Sequence, residues 1–191
     1  MRLIHDDPEF ADLIRIVGAE RTPPIAPPLV EKDYWVTHAL WCVQRAGLEC
    51  WFKGGTSLSK GFGLIQRFSE DLDLKLGPGS AAGVPNVLNW KSEGNKHVAA
   101  RREFFEAVAR KLDVPGAKIE LHAVDARWRS TELRVLDPSV VGDPMPEPMK
   151  PFVVIEAGSA RVVPHVEREL SSFVHDGLQR RGMLAEFEDS R

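Results

Sequence analysis

The chain has 191 residues but only two cysteines, Cys42 and Cys50, and a single tyrosine. Two thiols cannot build a zinc ribbon or a disulfide framework, and they point to a reducing compartment, the cytoplasm. No apolar run approaches the length of a membrane span, so no membrane partner is expected. The first residues, MRLIHDDPEF, meet acids at once and lack the apolar stretch of a secretory signal. An excess of positive charge is also missing. Lys and Arg total 25 against 28 Asp and Glu, a net charge of -3, which argues against a broad basic surface for nucleic acid. A Walker A loop, H-E-x-x-H and G-x-S-x-G are all absent. The six histidines are scattered along the chain and none forms a close pair in sequence.

What remains is ordinary for a globular protein: 43% hydrophobic and 28% charged residues, which excludes wholesale disorder. The length fits one domain with a small appendage. Asp7 and Pro8 read as the start of a helix whose apolar stripe is Phe10, Leu13, Ile14 and Val17. The prolines between 23 and 28 predict a stiff extended connector. A helix is expected over about 29–46, ending at Gly47 and carrying Glu31, Lys32, Asp33, Tyr34 and Trp35 early. Cys50 to Lys53 reads as a strand, followed by Gly54, Gly55, Thr56 and Ser57 and a helical stretch around 58–62. Asp71 to Leu76 alternates strictly and reads as a strand. Residues 77–97 are expected to form a long loop, 98–112 a helix, 119–124 and 131–136 a strand pair, and 152–157 an apolar strand ending near Glu156. The segment 166–181 is compatible with a helix. This gives residues 1–28 as an N-terminal helix and connector, 29–182 as the main domain, and 183–191 as a tail. Residues 91–136 carry 10 basic and 7 acidic side chains, the one segment suited to touching a polyanion, although a solvated helix face has the same composition.

The chemistry concentrates between Lys53 and Leu76. A strand repeats every two residues, so Asp71, Asp73 and Lys75 share one face while Leu72, Leu74 and Leu76 share the core face. Two carboxylates on one face repel unless a cation lies between them, and hard oxygen ligands suit Mg²⁺. An ordinary solvent-facing strand edge also carries such pairs. Gly54 to Ser57 follow a strand and open a helical turn, where backbone N–H groups can approach a phosphate. The hydroxyls of Thr56, Ser57 and Ser59 and the ammonium of Lys60 stand nearby. A tight turn needing glycine for backbone reasons has the same appearance.

The stretch FKGGTSLSKGFGLIQRFSEDLDLKL, residues 52–76, resembles the nucleotidyltransferase toxins of the AbiEii/AbiGii abortive-infection family. VEKDYWV, residues 30–36, is similar to the family's preceding helix, and VVIEAGSARVVPHVE, residues 153–167, to a later strand. The resemblance covers about residues 29–168, apart from the loop near 77–97. It implies an α/β (α+β) nucleotidyltransferase-like fold, a small mixed β-sheet with flanking helices. It also implies Mg²⁺ (or Mn²⁺) chemistry that moves a nucleotidyl group from an NTP to tRNA, another nucleic acid or protein, in a toxin paired with an antitoxin. Asp71, Asp73 and Glu156 would be the catalytic and metal-binding acids. Gly54, Gly55, Thr56, Ser57, Lys60, Arg67 and Ser69 would bind the nucleotide. The family's C-terminal helical region, with further Lys and Asp motifs, has no counterpart here, where nine residues follow Gly182. That leaves an alternative expectation: a truncated or short, catalytically incomplete module that binds a nucleotide or a partner.

Overall fold

The structure is a computed structural model that describes residues 2–65, 71–159 and 163–190. The elements are α1 (Phe10–Ala19), α2 (Pro27–Arg45), β1 (Glu49–Lys53), the single turn α3 (Gly54–Thr56), β2 (Asp71–Gly77), α4 (Asn95–Lys111), β3 (Lys118–Ala123), β4 (Ser130–Leu136), β5 (Val153–Gly158) and α5 (Phe173–Arg180). The strands form one sheet in the order β1-β2-β5-β4-β3. β2 and β5 run parallel; every other neighbouring pair is antiparallel. The fold is therefore a mixed α/β arrangement with helices flanking a small sheet, as the sequence implied.

Alternation separates the two faces of the sheet. Leu72, Ile155 and Leu133 lie side by side across β2, β5 and β4, and so do Leu74, Ala157 and Thr131, all buried. Burying each large apolar side chain contributes roughly 1.5–3 kcal/mol, which locks the strand registers and sends the alternate residues to the other face. α2 packs on β1 and β5, α4 packs on β3, and α1 and α5 pack on α2. Ile4 and Phe187, from segments outside the sheet and the long helices, join the same core.

Several boundaries differ from expectation. Pro27 and Pro28 belong to the first turn of α2, where the fixed proline φ suits a helix start and no N–H is needed. Asp7 forms a turn before α1, its carboxylate accepting from the Glu9 N–H at 2.9 Å. The C-terminal helix begins only at Phe173, capped by the Ser172 hydroxyl accepting from the His175 N–H at 3.1 Å, and residues 163–172 carry no helix. Residues 78–94 do form a loop, but a pinned one. Buried Arg101 donates to the carbonyls of Asn89, Trp90 and Ser92, and Trp90 meets Phe104 and Phe105 edge-on.

Helix α2 buries three consecutive charges, each holding a different segment. Glu31 accepts from the Ser139 hydroxyl at 2.9 Å and the Val140 N–H at 2.7 Å. Lys32 donates to the carbonyls of Lys150 and Phe152. Asp33 accepts from the Phe173 N–H at 2.7 Å and pairs with Lys60 at 2.5 Å. A desolvated charge is tolerable only when bonded in this way.

Candidate active site

The polar face of the sheet carries one transverse row. Lys53, Asp73, Glu156, Glu132 and His122 are successive register partners across β1, β2, β5, β4 and β3. Three carboxylates thus stand on adjacent strands, about 4.8 Å apart per strand. Asp71 lies two residues from Asp73, on the same face. Glu156, the last acid expected from the sequence, falls directly beside Asp73, and the two side chains share a hydrogen bond. Burial first, then the Asp73, Asp71 and Glu132 carboxylates, hold the Glu156 carboxyl above its usual range.

Cations already answer part of this charge. The Lys53 ammonium lies 3.2 Å from Asp73 Oδ1, and the Lys150 ammonium 3.4 Å from Asp71 Oδ1. Arg134 donates to Glu132 at 3.1 Å. The sequence argument did not single out Lys53, Lys150 or Glu132. Lys53 was legible in principle, because the β1–β2 register sets it opposite Asp73. Lys150 sits in a proline-rich stretch with no period to read. It is brought to Asp71 by the Lys32 hold on its own carbonyl.

Gly54 follows Lys53 with a φ of +75°, and a Cβ built there would overlap the Asp73 carboxylate. The glycine is needed for both backbone conformation and close approach. Thr56 is buried and its hydroxyl donates to the Asp71 carbonyl at 2.6 Å, tying the turn to β2. Ser57 is buried and Gly55 partly so. The Lys60 ammonium is held by Asp33 and donates to the Ser171 carbonyl at 3.0 Å. Arg67 and Ser69 lie outside the described residues. His165 is exposed. The middle-segment cations are largely paired locally: Arg129 with Glu93 at 2.5 Å, Arg102 with Glu106 at 2.7 Å, and Lys118 with Glu120 at 2.7 Å.

A shallow cavity of ≈ 230 Å³ beside the row is lined by Lys53, Arg129, Ser130, Glu156 and the 157–159 backbone. The donor set suits a hard divalent cation, since carboxylates crowded on one face supply oxygen ligands. Among the described residues, no helix is long and apolar enough to cross a membrane.

The profile of the nucleotidyl transferase AbiEii toxin family, of type IV toxin–antitoxin systems, matches residues 39–186. The chain belongs to this family. Among solved structures it is similar to the MenT4 nucleotidyltransferase toxin of Mycobacterium tuberculosis H37Rv, with 20% identity, a TM-score of 0.42 and coverage of 78% of this chain and 44% of that one. The chain therefore spans less than half the length of that structure. No curated protein matches it.

Proposed function

We propose that the protein is the nucleotidyltransferase toxin of a toxin–antitoxin pair, moving a nucleotidyl group from an NTP to a tRNA, another nucleic acid or a protein. The observation that carries this reading is the in-register placement of Glu156 beside Asp73, with Gly54 closed against the same carboxylate. Asp71 and Asp73 would hold Mg²⁺ or Mn²⁺, which when bound neutralises triphosphate charge, with Glu156 beside them as the base. The chain's own residues do the rest. Lys53, at the rim of the cavity, turns from Asp73 to the phosphates. The Gly54–Ser57 turn sets its backbone beside them, and the family resemblance assigns Arg67 and Ser69 to the nucleotide as well. Lys60, tied to Asp33, fixes the position of that turn. Glu156 accepts the proton of the acceptor hydroxyl as its oxygen bonds to the α-phosphorus and pyrophosphate leaves.

The pairing of both aspartates with lysines favours a second reading, a module that holds a nucleotide or an antitoxin without turnover. One experiment separates the two. The chain is incubated with each labelled NTP, Mg²⁺ and either total tRNA or total protein, and covalent label is measured. Label that disappears in Asp71→Asn and Asp73→Asn supports transfer. Metal-dependent NTP binding with no label in any acceptor supports the second reading.

A further inference from the structure

A second group of ligand-type side chains lies away from the acidic row, among the helices that cover the other face of the sheet. His5, His38 and Asp189 each offer a ligand atom, and these atoms all lie within 4.8 Å of one another. The residues are far apart in sequence: His5 precedes α1, His38 lies within α2, and Asp189 lies beyond α5. The site is closed off, with side-chain exposures of 7% for His5, 0% for His38 and 1% for Asp189.

The inward atoms can be assigned. His5 Nδ1 lies 2.8 Å from the Tyr34 hydroxyl, which in turn lies 2.8 Å from Asp189 Oδ2. His38 Nδ1 lies 3.3 Å from the same Asp189 Oδ2. The His38 ring is fully buried, and the Asp189 carboxylate is a polar neighbour of its Nδ1. His5, His38 and Asp189 thus present ligand-type atoms to one another, and the Tyr34 hydroxyl bridges His5 Nδ1 and Asp189 Oδ2.

The outward atoms are occupied. His5 Nε2 faces the Asp6 carboxylate at 3.8 Å. His38 Nε2 faces the Cys42 sulfur at 3.7 Å. Asp189 Oδ1 accepts from the Ile4 N–H at 3.1 Å, and the Asp189 carbonyl meets His175 Nε2 at 2.7 Å. Outer partners of this kind orient ligands toward a metal.

We infer that His5, His38 and Asp189 form a structural zinc site, with the Tyr34 hydroxyl as fourth ligand or hydrogen-bond neighbour. Two imidazoles and a carboxylate are a donor set that tetrahedral zinc accepts, at about 2.0–2.2 Å from each atom. The metal would link the segment before α1, helix α2 and the segment after α5, so its binding couples to folding. The inference does not depend on the nucleotidyltransferase reading.

The test uses the full chain, purified without chelator, and measures zinc by elemental analysis, Co²⁺ substitution by visible absorption, and thermal unfolding with and without added Zn²⁺. The expected result is about one zinc per chain, a tetrahedral Co²⁺ spectrum and a lower melting temperature after chelation. His5→Gln should weaken zinc affinity by at least about 100-fold. Its ring lies at the margin of the core, so this variant reports even if His38→Gln fails to fold. Asp73→Asn, which alters only the acidic row, should keep the zinc. A chain that neither contains nor takes up zinc, or His5→Gln binding zinc and Co²⁺ as the unaltered chain does, overturns the inference. So does zinc that is lost with Asp73→Asn, since the metal then sits on the acidic row.

Discussion

Gly54→Ala is the substitution that most directly probes the contact between the turn and the acids. Gly54 has a φ of +75°, and an added Cβ would overlap the Asp73 carboxylate. The left-handed conformation alone costs an alanine about 1–2 kcal/mol. For a chain of this length that lowers the melting temperature by roughly 2–8 °C. The overlap adds a second effect, because Asp73 must swing away from Lys53 and from its place beside Glu156. The lost Lys53 contact is half exposed and is worth about 1 kcal/mol or less, so stability hardly registers it. Ligand binding does. Displacing a carboxylate proposed to hold the metal should weaken Mg²⁺-dependent NTP binding by about tenfold or more, the equivalent of 1.4 kcal/mol or above. Gly63→Ala is the control, since Gly63 has a φ of +63° and, among the described residues, nothing lies within 4 Å of an added Cβ. Calorimetric titration with NTP and Mg²⁺, next to thermal unfolding, should show both variants destabilised alike and only Gly54→Ala impaired in binding. If both bind NTP equally well, the glycine serves the backbone alone and the turn is not part of a nucleotide site.

Three other perturbations extend the argument. Glu156→Gln should keep NTP binding but slow nucleotidyl transfer by about 100-fold or more, the usual contribution of a general base; undiminished transfer removes Glu156 from that role. Lys60→Met strands the Asp33 carboxylate, only 4% exposed, so chemical denaturation should show a loss of about 3 kcal/mol, the low end for a broken buried pair because the Phe173 N–H remains. A drop in NTP affinity without that loss would place Lys60 on the phosphates instead. Burial pushes the Asp137 carboxyl up to about 6, partly offset by Lys32, and its Oδ1 has no partner. A carboxyl raised on folding stabilises the native state fully below its unfolded value near 4, and that stabilisation is lost as pH rises through 6. Asp137→Asn should therefore be more stable than the parent at pH 7, by up to about 3 kcal/mol. The gap should close by about pH 4 in paired denaturation curves, and a gap independent of pH contradicts the assignment.

Local pattern determined much of this protein. The strict alternation of Asp71 to Leu76 set both the strand and its faces, because each pleat reverses the side chain and the leucines have only one favourable side. The order of strand, glycine turn and acidic strand was enough to identify the family. Helix ends were less legible. Pro27 and Pro28 look the same in a connector and in a first helical turn, and the apolar spacing after Val166 looks helical until Ser172 supplies the cap. Only tertiary structure decided which distant groups meet. The parallel pairing of β2 with β5 set Glu156 beside Asp73, and the β4 register added Glu132, neither of which any local period encodes. The buried charges of α2 determined where Lys150 and Lys60 point. Histidines scattered through the sequence, His5 and His38, came together with Asp189 because three separate segments close on one core. Sequence periodicity reports which side of an element is apolar; contacts between elements depend on how those sides pack, and that is settled only when the whole chain folds.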